Sequence, residues 1–211
     1  MQFPLKKLYD YCAAHSQPPS RILYDLERET HLKTLAPQMM SGPLQGALLS
    51  LLSRLIQPLN ALEIGTFTGY GALCIAEGLA PGGVLHTIEA NPEHEAIIRK
   101  YIRRAGKEDA IQLYIGQAQG FIPSLPTPFD FVFMDAGKQD YAHYFDLVVD
   151  RIRPGGLLLA DNVLWGGKIA DPNPDKDTRT MRAFNEKVAA DPRVTTLMLP
   201  LRDGLSILQR V

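Results

Sequence analysis

The segment Ala61-Leu-Glu-Ile-Gly-Thr-Phe-Thr-Gly-Tyr-Gly71 constrains this chain more than any other. A short apolar run, Ala61 to Ile64, reads as a buried strand that ends in an acidic residue and a glycine-rich turn. The following residues, Ala72 to Leu79, have the apolar spacing of a helix. Strand, glycine turn and helix form the corner at which an open α/β sheet grips a ligand, beyond the carboxyl ends of its strands. The glycines read G-x-x-x-G-x-G, whereas the dinucleotide fingerprint is G-x-G-x-x-G. Glu63 stands close before the first glycine. A carboxylate there repels a pyrophosphate and suits a ligand with amino or hydroxyl groups, such as S-adenosylmethionine. Glycine turns also close ordinary βα units, so the rest of the chain has to discriminate.

With 211 residues, 45% hydrophobic and 21% charged, the chain reads as one soluble α/β domain spanning 1–211. A formal net charge of -1 leaves no global basic footprint for nucleic acid. Two cysteines, Cys12 and Cys74, are too few for a disulfide framework and fit a reducing, cytoplasmic setting. No apolar run approaches the ~18 residues of a membrane span, and Met1 to Leu8 lacks the sustained apolar core of a signal peptide.

Residues 1–35 show helical periodicity broken at Gln17-Pro-Pro-Ser20, as expected of an appended N-terminal helical segment. Ala36 to Pro43 reads as a loop, with Pro43 at the first position of a helix running to about Ile56. Strands are expected at about 61–65, 84–89, 111–115, 129–134, 156–160, 194–199 and 204–210, with helices between the first six. That alternation implies a parallel sheet covered on both faces. The last two strands are separated by Leu201-Arg-Asp-Gly204, a hairpin signal, and must be antiparallel. A mostly parallel sheet closed by an antiparallel C-terminal hairpin is the arrangement of class I methyltransferases, a Rossmann-like sheet of seven strands.

The strand ends carry the chemistry. Glu89 closes the second strand roughly two dozen positions past Gly65, close to the spacing at which an acidic residue accepts ribose hydroxyls. Asn91-Pro-Glu93 beyond it starts a helix, so Glu89 on the ribose and Asn91 on the cap are compatible. After the third strand, an amide in Gly116-Gln-Ala-Gln119 could meet an adenine edge, although by itself the segment favours a plain loop. The fourth strand ends at Asp135 and the fifth at Asp161-Asn162. Two carboxylates and an amide oxygen on one rim suit Mg²⁺, Mn²⁺ or Ca²⁺ rather than zinc. Helix capping would explain either aspartate alone; the pair favours the metal. Lys138, three residues after Asp135, reads as a solvated lysine from spacing alone. A bound cation beside it would favour its neutral form, able to take a proton from a substrate hydroxyl. The five histidines form no paired or Cys/His set for zinc, and Ser206 lies on no G-x-S-x-G elbow.

In combination these segments resemble the cation-dependent class I O-methyltransferases, among them catechol and caffeoyl-coenzyme A O-methyltransferases. The resemblance runs from about Met39 to Val211. It rests on Leu62 to Tyr70, Thr87-Ile-Glu-Ala-Asn-Pro92, Phe133-Met-Asp-Ala-Gly-Lys138, Leu159-Ala-Asp-Asn-Val-Leu-Trp165 and Leu199-Pro-Leu-Arg-Asp-Gly-Leu205. It implies that Asp135, Asp161 and Asn162 hold a divalent cation and that Lys138 matches the lysine proposed as base. It implies further that Met40, Glu63, Gly65, Thr66, Phe67, Tyr70, Gly71, Glu89, Ala118, Gln119 and Asp135 surround S-adenosylmethionine. Gly137 replaces an aspartate of the plant enzymes and puts a plant-like grip on the methionine amino group in doubt. Gly71 replaces the common serine. Leu164-Trp-Gly-Gly-Lys168 looks like bacterial members, many of them homodimers.

The expected function is therefore O-methylation of a small aromatic hydroxyl, catechol-like or hydroxycinnamoyl. The competing readings are methylation of a hydroxylated tRNA base, which needs a local basic track, and a non-catalytic cofactor-binding protein, for which the metal and lysine set has no use. An NAD-dependent oxidoreductase is disfavoured by the glycine spacing. Leu164 to Pro174, with two glycines and two prolines, is expected to be a mobile loop rather than a helix. Trp165 within it could flank an aromatic acceptor or anchor an interface.

Overall fold

The computed structural model describes residues 5–211. Seven strands form one sheet: β1 (Asn60–Ile64), β2 (Val84–Glu89), β3 (Ile111–Ile115), β4 (Phe129–Met134), β5 (Ile152–Asp161), β6 (Val194–Leu199) and β7 (Leu205–Arg210). Their order is β3-β2-β1-β4-β5-β7-β6. Strands β1 to β5 pair in parallel, and β7 runs antiparallel to both β5 and β6. The helices are α1 (Leu5–Ala14), α2 (Arg21–Lys33), α3 (Gly42–Ile56), α4 (Tyr70–Ala76), α5 (Glu95–Arg104), α6 (Ala118–Phe121), α7 (Tyr141–Val148) and α8 (Lys176–Ala190). The expected Rossmann-like arrangement with its terminal hairpin is what the chain adopts. Among the described residues no helix is long and apolar enough to cross a membrane.

The two-residue period of the strands divides the core. Val132, Met134, Leu158 and Ala160 join the cluster beneath α7 and α8, while Phe131, Phe133, Leu157 and Leu159 join the one beneath α2 to α5. Both faces are covered, so the central strands read as continuous apolar runs rather than alternating ones. Phe129 lies on the same side as Val132, out of phase, because the β4–β5 register shifts between Phe129 and Phe131. This shift also explains why β5 begins at Ile152 and not near 156: Ile152 pairs with Phe129 before the irregularity. Helix α5 buries Ile98, Tyr101 and Ile102, an i, i+3, i+4 stripe, each worth roughly 1.5–3 kcal/mol of burial.

The end of α2 and the residues after it form part of the wall of the site. Leu23, Leu26 and Thr30 of α2 are buried. Thr30 donates to Thr68 of the glycine turn at 2.9 Å. Glu29 gathers Lys33, Lys100 and the Tyr101 hydroxyl, which hold its carboxyl down at about 2. Between β1 and β4 the chain direction of succession reverses: β2 and β3 lie to one side, β5 to the other. Such a switch point opens a crevice at the carboxyl ends of the strands, where ligands bind.

Candidate active site

At that switch point Gly65 follows β1 with φ +93°, and a Cβ there would stand 2.0 Å from the Asp135 carbonyl oxygen. Only glycine lets the ends of β1 and β4 meet so closely. One backbone bond ties this contact, Asp135 N to Ile64 O (2.8 Å), and a second, Gly65 N to Ile88 O (2.9 Å), ties the glycine to β2 on the other side. Above it opens a cavity of about 1260 Å³, ample for two small ligands side by side.

Eight of the expected site residues line this cavity: Gly65, Phe67, Glu89, Ala118, Asp135, Lys138, Asn162 and Trp165. Glu89 clasps the glycine turn, accepting from Phe67 N (2.7 Å) on one oxygen and from Asn91 N (2.8 Å) on the other. Each oxygen keeps acceptor capacity for a further donor. Asn91 also caps, its side chain accepting from Glu93 N at 3.0 Å. Phe67 sits edge-on to His94, their centroids 4.9 Å apart.

The remaining expected residues lie off the cavity wall. Glu63 is buried under α4, where a Cβ on Gly71 would come 2.4 Å from its oxygen. Thr87 donates to it at 2.5 Å and also meets Thr66, so Glu63, Thr87 and Thr66 form a buried chain below the glycine turn. Burial, and then the charges of Asp135 and Glu89, push the Glu63 carboxyl up to about 8. Tyr70 packs against Gly46, where a Cβ would be 2.6 Å from its ring. Met40 is buried in the core, and its neighbour Met39 takes the cavity side. Gln119 is exposed and accepts from the Tyr144 hydroxyl at 3.4 Å, while Gln117 lines the cavity.

At the ends of β4 and β5 the polar groups converge. Lys138 Nζ donates to Asp135 Oδ1 (2.9 Å) and to the Tyr141 hydroxyl (2.7 Å). That hydroxyl faces the carbonyls of Met134 and Asp161, each at 3.1 Å, and bridges the two strand ends. Burial raises the Tyr141 phenol well above its ordinary value, so it stays protonated. Asp161 is buried behind Asn162 and accepts from Asn162 N and from Gln45 Nε2, both at 2.8 Å. Its carboxyl is pushed up to about 6, first by burial and next by the charge of Asp135. Two neighbouring carboxylates, the charge of one raising the proton affinity of Asp161, are a pair suited to a hard cation, with the Asn162 amide as a third oxygen. Among the described residues no three His, Cys, Asp or Glu side chains converge on a metal position; this corner offers two carboxylates and an amide.

Several cavity residues carried no readable signal in sequence. Arg202 stands in the hairpin turn that was legible only as a turn, and Leu35 and Met39 belong to the segment between α2 and α3. Within Leu164 to Pro174, expected as a mobile loop rather than a helix, Trp165 to Ala170 form short 3₁₀ turns, with Gly166 and Gly167 in left-handed conformations that join them. Asp203 accepts from Gly166 N, and Arg182 bonds the carbonyls of Ile169 and Asp171. Long-range partners thus organise a segment whose composition alone spoke for a loop.

This fold has close counterparts among known proteins. The model of the O-methyltransferase family matches residues 13–211. The chain belongs to the O-methyltransferase family. It is an S-adenosylmethionine-dependent O-methyltransferase. A catechol O-methyltransferase of Niastella koreensis is 37% identical over 170 residues, 78% of this chain and 77% of that protein. Caffeoyl-CoA O-methyltransferase 1 of Eucalyptus globulus is 35% identical over 180 residues, 79% of this chain and 73% of the other. Among solved structures, the O-methyltransferase TomG of Streptomyces achromogenes, in complex with SAM, superimposes with a TM-score of 0.90 at 30% identity and full coverage of both chains.

Proposed function

We propose that this enzyme methylates one hydroxyl of a catechol-like or hydroxycinnamoyl acceptor and uses a divalent cation held by Asp135, Asp161 and Asn162. The observation that carries the reading is that Asp135, Asn162 and Lys138 line the cavity beside Gly65, with Asp161 buried directly behind Asn162. When bound, S-adenosylmethionine supplies a methyl group on a sulfonium, and the cation supplies Lewis acidity that favours an ionised acceptor hydroxyl.

The chain's own groups do the rest. Glu89 offers carboxylate oxygens to donors of the cofactor, and the glycine turn it holds lets backbone approach the ligand. Asp135 presents negative charge on the cavity wall, which suits a cationic donor. The Lys138 nitrogen is held between Asp135 and Tyr141. In its neutral form it can take the proton of the acceptor hydroxyl. Trp165, with Leu35 and Met39 on the same cavity, offers apolar surface to an aromatic ring. Alignment of acceptor oxygen and methyl group within the crevice then supplies the main gain in rate.

A methyl-transfer assay over catechols, acyl-coenzyme A thioesters and tRNA, each with and without EDTA, tests this reading. Transfer to a vicinal diol that stops with EDTA and returns with Mg²⁺ or Mn²⁺ is the expected result. Full activity in EDTA excludes the metal role, and transfer to tRNA alone replaces the acceptor class.

A further inference from the structure

We infer that Gln45, oriented by Arg202, is a positioning residue that holds the Asp161 carboxylate ready for a cation; the inference rests on the metal role proposed above. Gln45 belongs to α3 and has no exposed surface. Its Nε2 donates to Asp161 Oδ2 at 2.8 Å, across 116 positions of chain. Its Oε1 accepts from Arg202 Nη1 at 3.2 Å. The guanidinium of Arg202 is itself anchored on the carbonyls of Ser41 and Gln38. A guanidinium has only donors and a carboxylate only acceptors, so the amide between them has one allowed orientation. Rotated by half a turn, it would set nitrogen against guanidinium and oxygen against carboxylate.

The consequence lies in what this arrangement does to Asp161. One oxygen is fixed by Asn162 N and the other by Gln45, so the plane of the carboxylate cannot rotate, while each oxygen retains a lone pair. A neutral donor at this place steadies the group without cancelling its charge, as a lysine or arginine in direct contact would. Hydrogen-bonded partners of metal-binding carboxylates commonly set metal affinity, and their loss costs about 10- to 100-fold. The network also joins three separate elements at this point: α3, the end of β5 and the β6–β7 hairpin turn. Arg202 is exposed at the cavity rim, so this turn contributes to the site although none of its residues is proposed to touch the cation.

The test is Mn²⁺ binding to the 211-residue chain, followed by electron paramagnetic resonance of the free ion. Binding of S-adenosylhomocysteine is measured beside it by calorimetry. The wild type binds Mn²⁺ and Asp161→Asn does not. Gln45→Met raises the Mn²⁺ Kd about 10- to 100-fold and leaves the S-adenosylhomocysteine Kd unchanged. Because Gln45 is buried and its variant can misfold, Arg202→Met is the second arm. If Arg202 acts only as a charge near the site, its removal tightens Mn²⁺ binding; if it orients Gln45, its removal weakens it. An unmoved Mn²⁺ Kd in Gln45→Met, or tighter binding in Arg202→Met, overturns the inference and leaves the metal role standing. A wild type that binds no Mn²⁺ overturns both.

Discussion

Replacing Glu63 by glutamine should alter how the stability of this enzyme depends on pH. The carboxyl is wholly buried, accepts from Thr87, and is pushed up from its ordinary 4.5 to about 8, first by burial. Between those two values the folded protein keeps a proton that the unfolded chain releases. Stability then falls as pH rises, by about 1.4 kcal/mol per pH unit. The contribution of Glu63 is complete below pH 4.5 and gone above pH 8, with a loss of about 3 kcal/mol between pH 5 and 8. Asp161, raised to about 6, adds a loss of the same sign only up to that pH. Glu63→Gln keeps the size of the side chain and an acceptor for Thr87, and has no proton to lose. Urea unfolding of both proteins, free of cofactor, at pH 5, 6, 7 and 8 gives the comparison; subtraction cancels Asp161 and every other common group. The variant should match the wild type near pH 5 and exceed it by about 3 kcal/mol at pH 8. Parallel curves would mean that Glu63 is ionised inside the fold, and the account of its burial would be wrong.

Other outcomes follow from the same geometry. Gly65→Ala meets both a left-handed φ and the Asp135 carbonyl, whereas Gly82 has φ +77° and open space; melting should show Gly82→Ala losing about 1–2 kcal/mol and Gly65→Ala clearly more, and equal losses would refute the contact. Glu89→Ala strips the acceptor from Phe67 N and Asn91 N; if Glu89 also accepts the cofactor's hydroxyls, as proposed, calorimetry should find S-adenosylhomocysteine weakened by about 1.5–3 kcal/mol, and unchanged affinity would remove Glu89 from the site. Trp165→Ala should raise the acceptor KM far more than it changes cofactor affinity, the pattern of lost uniform binding. Unchanged acceptor kinetics with an altered oligomeric state, read by light scattering, would make Trp165 an interface residue instead.

What the sequence determined by itself lay in short segments. Apolar runs of five or six residues with turn residues between them specified the strands, and Asp203-Gly204 marked the hairpin, because strand pairing and turns depend on neighbours in the chain. The glycine turn, the acidic strand ends and the Asp161-Asn162 pair were legible for the same reason. Tertiary structure decided what these groups face. Glu63 read as a ligand carboxylate, yet the fold turns it under α4 against Gly71, a contact set by how helix and sheet pack. The 3₁₀ turns at Trp165 depend on Asp203 and Arg182, which lie far along the chain. Gln45 of α3 and Asp161 at the end of β5 meet across 116 positions of chain. A hydrogen bond between residues so far apart leaves no local pattern, since only the closed sheet brings its donor and acceptor together.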